Sequence, residues 1–109
     1  MIIDFKNMET NIIENFRGGE KYAETRGFFD GMNRIMKIRL IPGASIGMHI
    51  HDAGSEIIYV LEGEGKMLYD DGEERLSAGM CHYCPKGHGH SFINDTEEDL
   101  IFFAVIPVQ

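Results

Sequence analysis

At 109 residues the chain is long enough for one domain with its own core, and its 43% hydrophobic and 26% charged residues are those of an ordinary globular protein. No apolar run reaches the 18 or so residues of a membrane span, and a formal charge of −8, with ten scattered Lys and Arg, argues against a nucleic-acid-binding stripe. Asp4 breaks the apolar start where an export signal would continue, so the cytoplasm is the expected location.

Residues 1–109 are expected to form a single domain, with 1–33 an N-terminal arm and 34–109 the body. In the arm, Ile2 to Phe5 reads as an edge strand, and Ile12, Ile13 and Phe16 fall at a helical spacing for about one turn. Gly18-Gly19 is expected to be a turn or bulge. It is not a phosphate loop, because no Lys-Ser or Lys-Thr follows. Tyr22 to Phe29 reads as extended chain ending at Asp30-Gly31.

From Arg34 the pattern becomes one of short strands. Met36, Ile38 and Leu40 alternate with Lys37 and Arg39 until Pro42-Gly43 turns the chain. Ile46–His51, Glu56–Glu62 and Lys66–Asp70 follow, with Asp71-Gly72 as a hairpin signal; then come Met80–Cys84, His90–Asn94 and Leu100–Ile106. Many short strands, Gly-rich turns and almost no helix predict an all-β sandwich or barrel. The acidic runs at 70–74 and 95–99 read as solvated turns.

Chemistry concentrates in GASIGMHIHDAGSEIIYVLEG. His49 and His51 are two apart, so on a strand both imidazoles leave one face. Glu56 has the wrong parity for an uninterrupted strand, but Asp52-Ala53-Gly54-Ser55 is a turn-forming run that resets it. A second informative stretch, GMCHYCPKGHGHSFIN, carries His82, His88 and His90.

Gly43, His49, His51, Glu56 and Gly63, followed by Gly79, Pro85, Gly87, His90 and Asn94, resemble the two motifs of the cupin superfamily at every defined position. The phrases PGASIGMHIH and YVLEGEG look like the small single-domain bacterial cupins. The resemblance implies a double-stranded β-helix, or jelly-roll, barrel. It also implies that His49, His51, Glu56 and His90 hold one divalent transition metal in the barrel mouth. Three imidazoles and a carboxylate suit Mn, Fe, Co, Ni or Zn, and an ion of charge +2 beside one carboxylate would attract an anionic or oxygen-rich ligand.

Other residues are weaker candidates. His88 shares parity with His90 and is expected to be a loop residue or an acid/base group at the mouth; His82 is a candidate support for the ligands. Cys81 and Cys84 form a CxxC with no second pair to complete a zinc site, and are expected on opposite strand faces. Ile58, Val60 and Phe92 should make an apolar cup, and Met48 should pack on the far face.

No catalytic residue beyond the ligands is identified. The leading expectation is a metalloenzyme acting by Lewis-acid catalysis on a keto acid, sugar acid or phenolic, as a lyase, isomerase, decarboxylase or dioxygenase. The alternative is a non-catalytic, metal-dependent binding module or sensor for a sugar or small carboxylate. A storage role with a vestigial site is opposed by the full ligand set. Exposed sheet edges and the apolar arm predict a homodimer, and neither a nucleic acid nor a membrane partner is expected.

Overall fold

In the computed structural model, which describes residues 1–109, the alternation at 34–40 becomes a strand with Met36, Ile38 and Leu40 buried and Lys37 and Arg39 turned outward. Ten strands form: β1 (Asn11–Glu14), β2 (Tyr22–Phe29), β3 (Asn33–Leu40), β4 (Ser45–Ile50) and β5 (Glu56–Glu62) in the first half. The second half adds β6 (Glu64–Tyr69), β7 (Gly72–Ser77), β8 (Cys81–Cys84), β9 (Gly89–Ile93) and β10 (Leu100–Pro107). Two antiparallel sheets result, a six-stranded one in the order β1-β2-β3-β10-β5-β8 and a four-stranded one in the order β4-β9-β6-β7.

The sheets pack face to face around one apolar core, as the expected jelly roll requires. Ile38, Leu40, Val60 and Phe102 of the large sheet meet Met67, Leu76 and Phe92 of the small one. Asn94, fully buried after β9, staples the next turn: its amide donates to the carbonyls of Leu40 and Glu98, both at 2.8 Å, and its oxygen accepts from Thr96.

Four local expectations are corrected. Residues 2–5 are not a strand, because the Asp4 carboxylate accepts from Lys6 N (3.1 Å) and Asn7 Nδ2 (2.6 Å) and caps a 3-10 turn over Phe5–Asn7. Ile12 and Ile13 lie in β1, since a β-branched pair gains more from pairing with β2 than from one isolated helical turn. The hairpin between β6 and β7 turns through Asp70-Asp71, one residue early, with Asp70 at φ 51 and Tyr69 paired to Gly72. Met48 faces away from the ligands as expected but is 53% exposed rather than packed.

Two backbone features position the site. Strand β4 carries a bulge: Ile46 pairs with Phe92 and His49 with His90, so three steps on β4 match two on β9. The extra residue lets Ile46 and His49 both face the barrel interior, and the Ser91 hydroxyl donates to the Ile46 carbonyl at 2.6 Å.

The second feature is the β1–β2 connection, which folds back over β4. A Cβ on Gly47 would lie 2.1 Å from the Arg17 carbonyl oxygen, and one on Gly19 would lie 2.0 Å from the Ser45 carbonyl oxygen. Only glycine permits this approach. Gly47→Ala should therefore cost about 1–3 kcal/mol, read as a lower urea midpoint with unchanged slope; an unchanged midpoint would mean that the loop is not seated there.

Candidate metal and ligand site

Four side chains from four places in the sequence converge at one end of the sandwich. The small sheet supplies His49 from β4 and His90 from β9, the large sheet supplies Glu56 at the start of β5, and His51 follows β4. One potential ligand atom from each lies within 4.8 Å of the others. His51, Glu56 and His90 are buried at 8%, 6% and 2% exposure, a cost that ionisable groups incur only with partners.

The spacing has a definite form. His51 Nε2 and His90 Nε2 are 3.0 Å apart, and Glu56 Oε1 lies 2.9 Å from the first and 2.8 Å from the second. The trio is close enough for one ion to be held by all three, and the donor set would suit a divalent transition metal.

Protonation is prepared as well. The His49 Nδ1–H donates to the Gly47 carbonyl at 2.7 Å, which leaves Nε2 as the free lone pair. Burial pushes the His49 imidazole below its usual range, so it is neutral at neutral pH. For Glu56, burial acts to raise the carboxyl, but hydrogen bonds with His51 and His90 outweigh it and bring it down to about 2.

Behind His90 lies a relay that alternates between the sheets. The Glu74 carboxylate (β7) accepts from His82 Nδ1 (β8) at 2.8 Å, and His82 Nε2 lies 3.1 Å from His90 Nδ1 (β9). Glu74 can only accept, so His82 Nδ1 carries the proton and its Nε2 accepts from His90 Nδ1–H, which fixes the His90 ring with Nε2 facing Glu56 and His51. Burial holds the His82 imidazole below its usual range, which favours this neutral arrangement. Glu74→Gln, which loses the anionic acceptor, should weaken metal binding roughly ten- to a hundredfold, measured by competition with a chromophoric chelator; equal affinity would make the relay mere packing.

The cup in front of the four residues has a volume of about 40 Å³. Its walls are Met36, Ile38, Ile46, Ile58, Phe92 and Ile106, and Phe16 and Arg17 of the β1–β2 connection complete its lining. A wider depression of about 360 Å³ involves Glu24, Arg26, Lys37 and Arg39, where Arg39 pairs with Glu24 and Asp99 and Arg26 donates to Thr10 and the Phe5 carbonyl. Converging donors occur in the small cup.

The cupin domain family matches residues 36–106, which include all four converging residues. The chain belongs to the cupin family. It is 31% identical to an oxalate-binding protein of Thermotoga maritima over 97% of this chain and 93% of the relative. A crystal structure described as a predicted oxalate decarboxylase from Thermotoga maritima superimposes with a TM-score of 0.94 at 30% identity, covering both chains completely. A polyketide cyclase of Streptomyces resistomycificus shares the fold, with a TM-score of 0.83 at 22% identity over all of this chain and 80% of the other.

The cupin places its remaining sequence candidates elsewhere. His88 turns away from the cup: its Nδ1 pairs with the Asp70 carboxylate at 2.9 Å and its ring stacks on Tyr69. His82 is the inner link of the relay. Cys81 is exposed and Cys84 buried, on opposite faces as expected, and burial pushes the Cys84 thiol up to about 11. With His82 and His90, Cys84 makes a second ligand-like group, but its thiol stays protonated and the two imidazoles bond each other. Ile58 and Phe92 line the cup as expected, whereas Val60 lies deeper in the core.

Two residues of this region escaped the sequence reading. Glu74 sits in a run that is exposed as expected, but it shares strand parity with buried Leu76, and its carboxylate reaches the buried His82 while its side chain stays 46% exposed. Arg17 had no signal at all, because only the folding back of its loop brings it to the cup.

Proposed function

We propose that this cupin binds one divalent transition metal through His49, His51, Glu56 and His90, and through it a small carboxylate. The observation that carries the reading is the 2.8–3.0 Å packing of buried imidazole and carboxylate donors at the base of a narrow apolar cup. When bound, the metal supplies Lewis-acid polarisation of a ligand oxygen. The chain's own residues hold the ligand atoms in the right protonation state, exclude water with alkyl and aromatic walls, and leave the site with net positive charge.

The narrowness of the cup favours short acids over the sugar acids and phenolics that the sequence left open. The oxalate named for the Thermotoga maritima sequence and structure that the chain resembles points the same way. Apart from the ligands and Arg17 the lining is apolar, so the chain offers no separate general acid or base beside a bound ligand. That supports carboxylate binding, or a reaction driven by metal polarisation, over acid/base chemistry.

The test is calorimetry of manganese-loaded protein against oxalate, malonate and acetate, followed by incubation of the same acids under air and under nitrogen. Micromolar binding without turnover supports a binding module. Loss of the acid with oxygen uptake or carbon dioxide release supports the metalloenzyme. No binding by any acid would refute the carboxylate reading.

No helix is long and apolar enough to cross a membrane, and a cytoplasmic location with no nucleic-acid partner remains part of the proposal. A homodimer is proposed on the outer face of β5 and β8, where Ile57, Tyr59, Leu61 and Tyr83 are 39–55% exposed on neighbouring strands. Light scattering at micromolar concentration decides it.

A further inference from the structure

Arg17 stands apart from the other four arginines of the sequence. Arg39 pairs with Glu24 and Asp99, Arg75 with Glu64 and Asp95, Arg26 donates to Thr10 and the Phe5 carbonyl, and the Arg34 guanidinium lies 4.3 Å from the centre of the Phe29 ring. Arg17 has no carboxylate within ion-pairing distance and makes no side-chain hydrogen bond. In a chain of net charge −8 an unpaired guanidinium in the lining of a cup is out of keeping with its surroundings.

The cup has twelve lining residues: the four converging ligands, seven apolar side chains and Arg17. A carboxylate ligand that meets the metal with some of its oxygens must turn others away. Of the lining residues other than the four converging ones, Arg17 is the one with a hydrogen-bond-donating side chain, and its planar fork matches a carboxylate.

The loop that presents Arg17 is costly to build. Asn15, Arg17 and Lys21 are non-glycine residues at φ 49, 55 and 54, each a left-handed conformation that side chains disfavour. They are held by Asn15 N to the Lys21 carbonyl (2.7 Å), Asn15 Nδ2 to the Gly19 carbonyl (3.0 Å) and Glu20 N to Ser45 Oγ (2.8 Å). The close approach of Gly19 and Gly47 to the facing backbone completes the clamp. Arg17 is thus seated on β4 next to the bulge that aims His49.

We infer that Arg17 is the specificity-determining residue of this site: it binds the carboxylate oxygens turned away from the metal and selects dicarboxylates, or acids with a second anionic oxygen group, over simple monocarboxylates. The inference rests on the metal–carboxylate reading above. Charge supports it, because a divalent ion beside Glu56 leaves one positive charge and Arg17 adds a second, matching a dianion.

The experiment uses full-length manganese-loaded protein, with oxalate, malonate and acetate as probes, in wild type, Arg17→Lys, Arg17→Ala and Arg17→Gly. Arg17→Ala should weaken oxalate and malonate roughly ten- to a hundredfold, change acetate less than about threefold, and leave metal content by elemental analysis unchanged; Arg17→Lys should restore part of the loss. Arg17→Gly controls for folding, since glycine accepts φ 55 without strain. It should melt no lower than wild type and still lose the dicarboxylate preference. Unchanged oxalate affinity in Arg17→Gly, or an equal loss for oxalate and acetate, overturns the role of Arg17 while the metal site stands. Wild-type protein that binds none of the acids overturns the underlying carboxylate reading and this inference with it.

Discussion

Replacing His51 by alanine should abolish tight binding of a divalent metal and with it the metal's contribution to stability. His51 Nε2 stands within 3.0 Å of both the Glu56 oxygen and the His90 nitrogen, so its loss removes one corner of the trio and leaves a buried carboxylate with one partner fewer. Metal at a thousand times its dissociation constant stabilises the folded state by about 4 kcal/mol, which for a domain of this size is a shift in Tm on the order of 15 °C. The comparison to make is Tm with and without chelator at neutral pH. Wild type should fall on chelation, and His51→Ala should show the same Tm in both conditions. A wild-type Tm indifferent to chelator would mean that no metal contributes to the fold, and one equivalent of metal retained by His51→Ala would mean that the ligands have been misassigned.

Acid should undo the site in two stages, and the sign is fixed by the titrating groups. His49 and His82 have folded-state pKa values below the unfolded value of about 6.5, because burial disfavours their charged forms. The unfolded chain therefore takes up protons first as pH falls, so this stability is whole above about 6.5 and declines below it. Metal is lost over the same range, since protonated imidazole cannot ligate. Glu56 follows, with a folded value of about 2 against 4.5 unfolded: its contribution, on the order of 3 kcal/mol, is complete above 4.5 and lost toward 2. Urea midpoints of the metal-free protein between pH 8 and 3 should be flat at the alkaline end and fall from about 6.5 downward. A midpoint that rises on acidification to pH 5 would contradict the burial of neutral imidazoles.

Much of this was readable in the chain because strands of period two declare their faces. Met36, Ile38 and Leu40 inward, and Cys81 opposite Cys84, follow from parity alone. The motif glycines were legible for a backbone reason: Gly43, Gly63, Gly79 and Gly87 all take positive φ at strand connections. Long-range placement was less accessible. The convergence of His90 with His49 was anticipated through the family motifs, because a local pattern carries no information on which distant strands will pair. Arg17 and Glu74 depended on tertiary folding: one on a loop that doubles back, the other on a solvated acid that a neighbouring strand brings within reach of His82. The Asp4 cap and the Asp70-Asp71 turn were missed because a short acidic side chain that bonds nearby backbone can outweigh apolar pattern.

The bulge at Gly47 makes the chemistry of this end of the molecule a matter of counting. Were the same residues from Ile46 to His51 paired regularly, without the bulge, pleating would carry both imidazoles to the solvent side and bring the thioether of Met48 and the alkyl chain of Ile50 inward in their place. The same side chains in the same order would then line a greasy plug where His49, His51, Glu56 and His90 now converge. What separates a corner able to hold an ion from an inert one in such a fold can therefore be a local break in pleating that carries no functional group of its own.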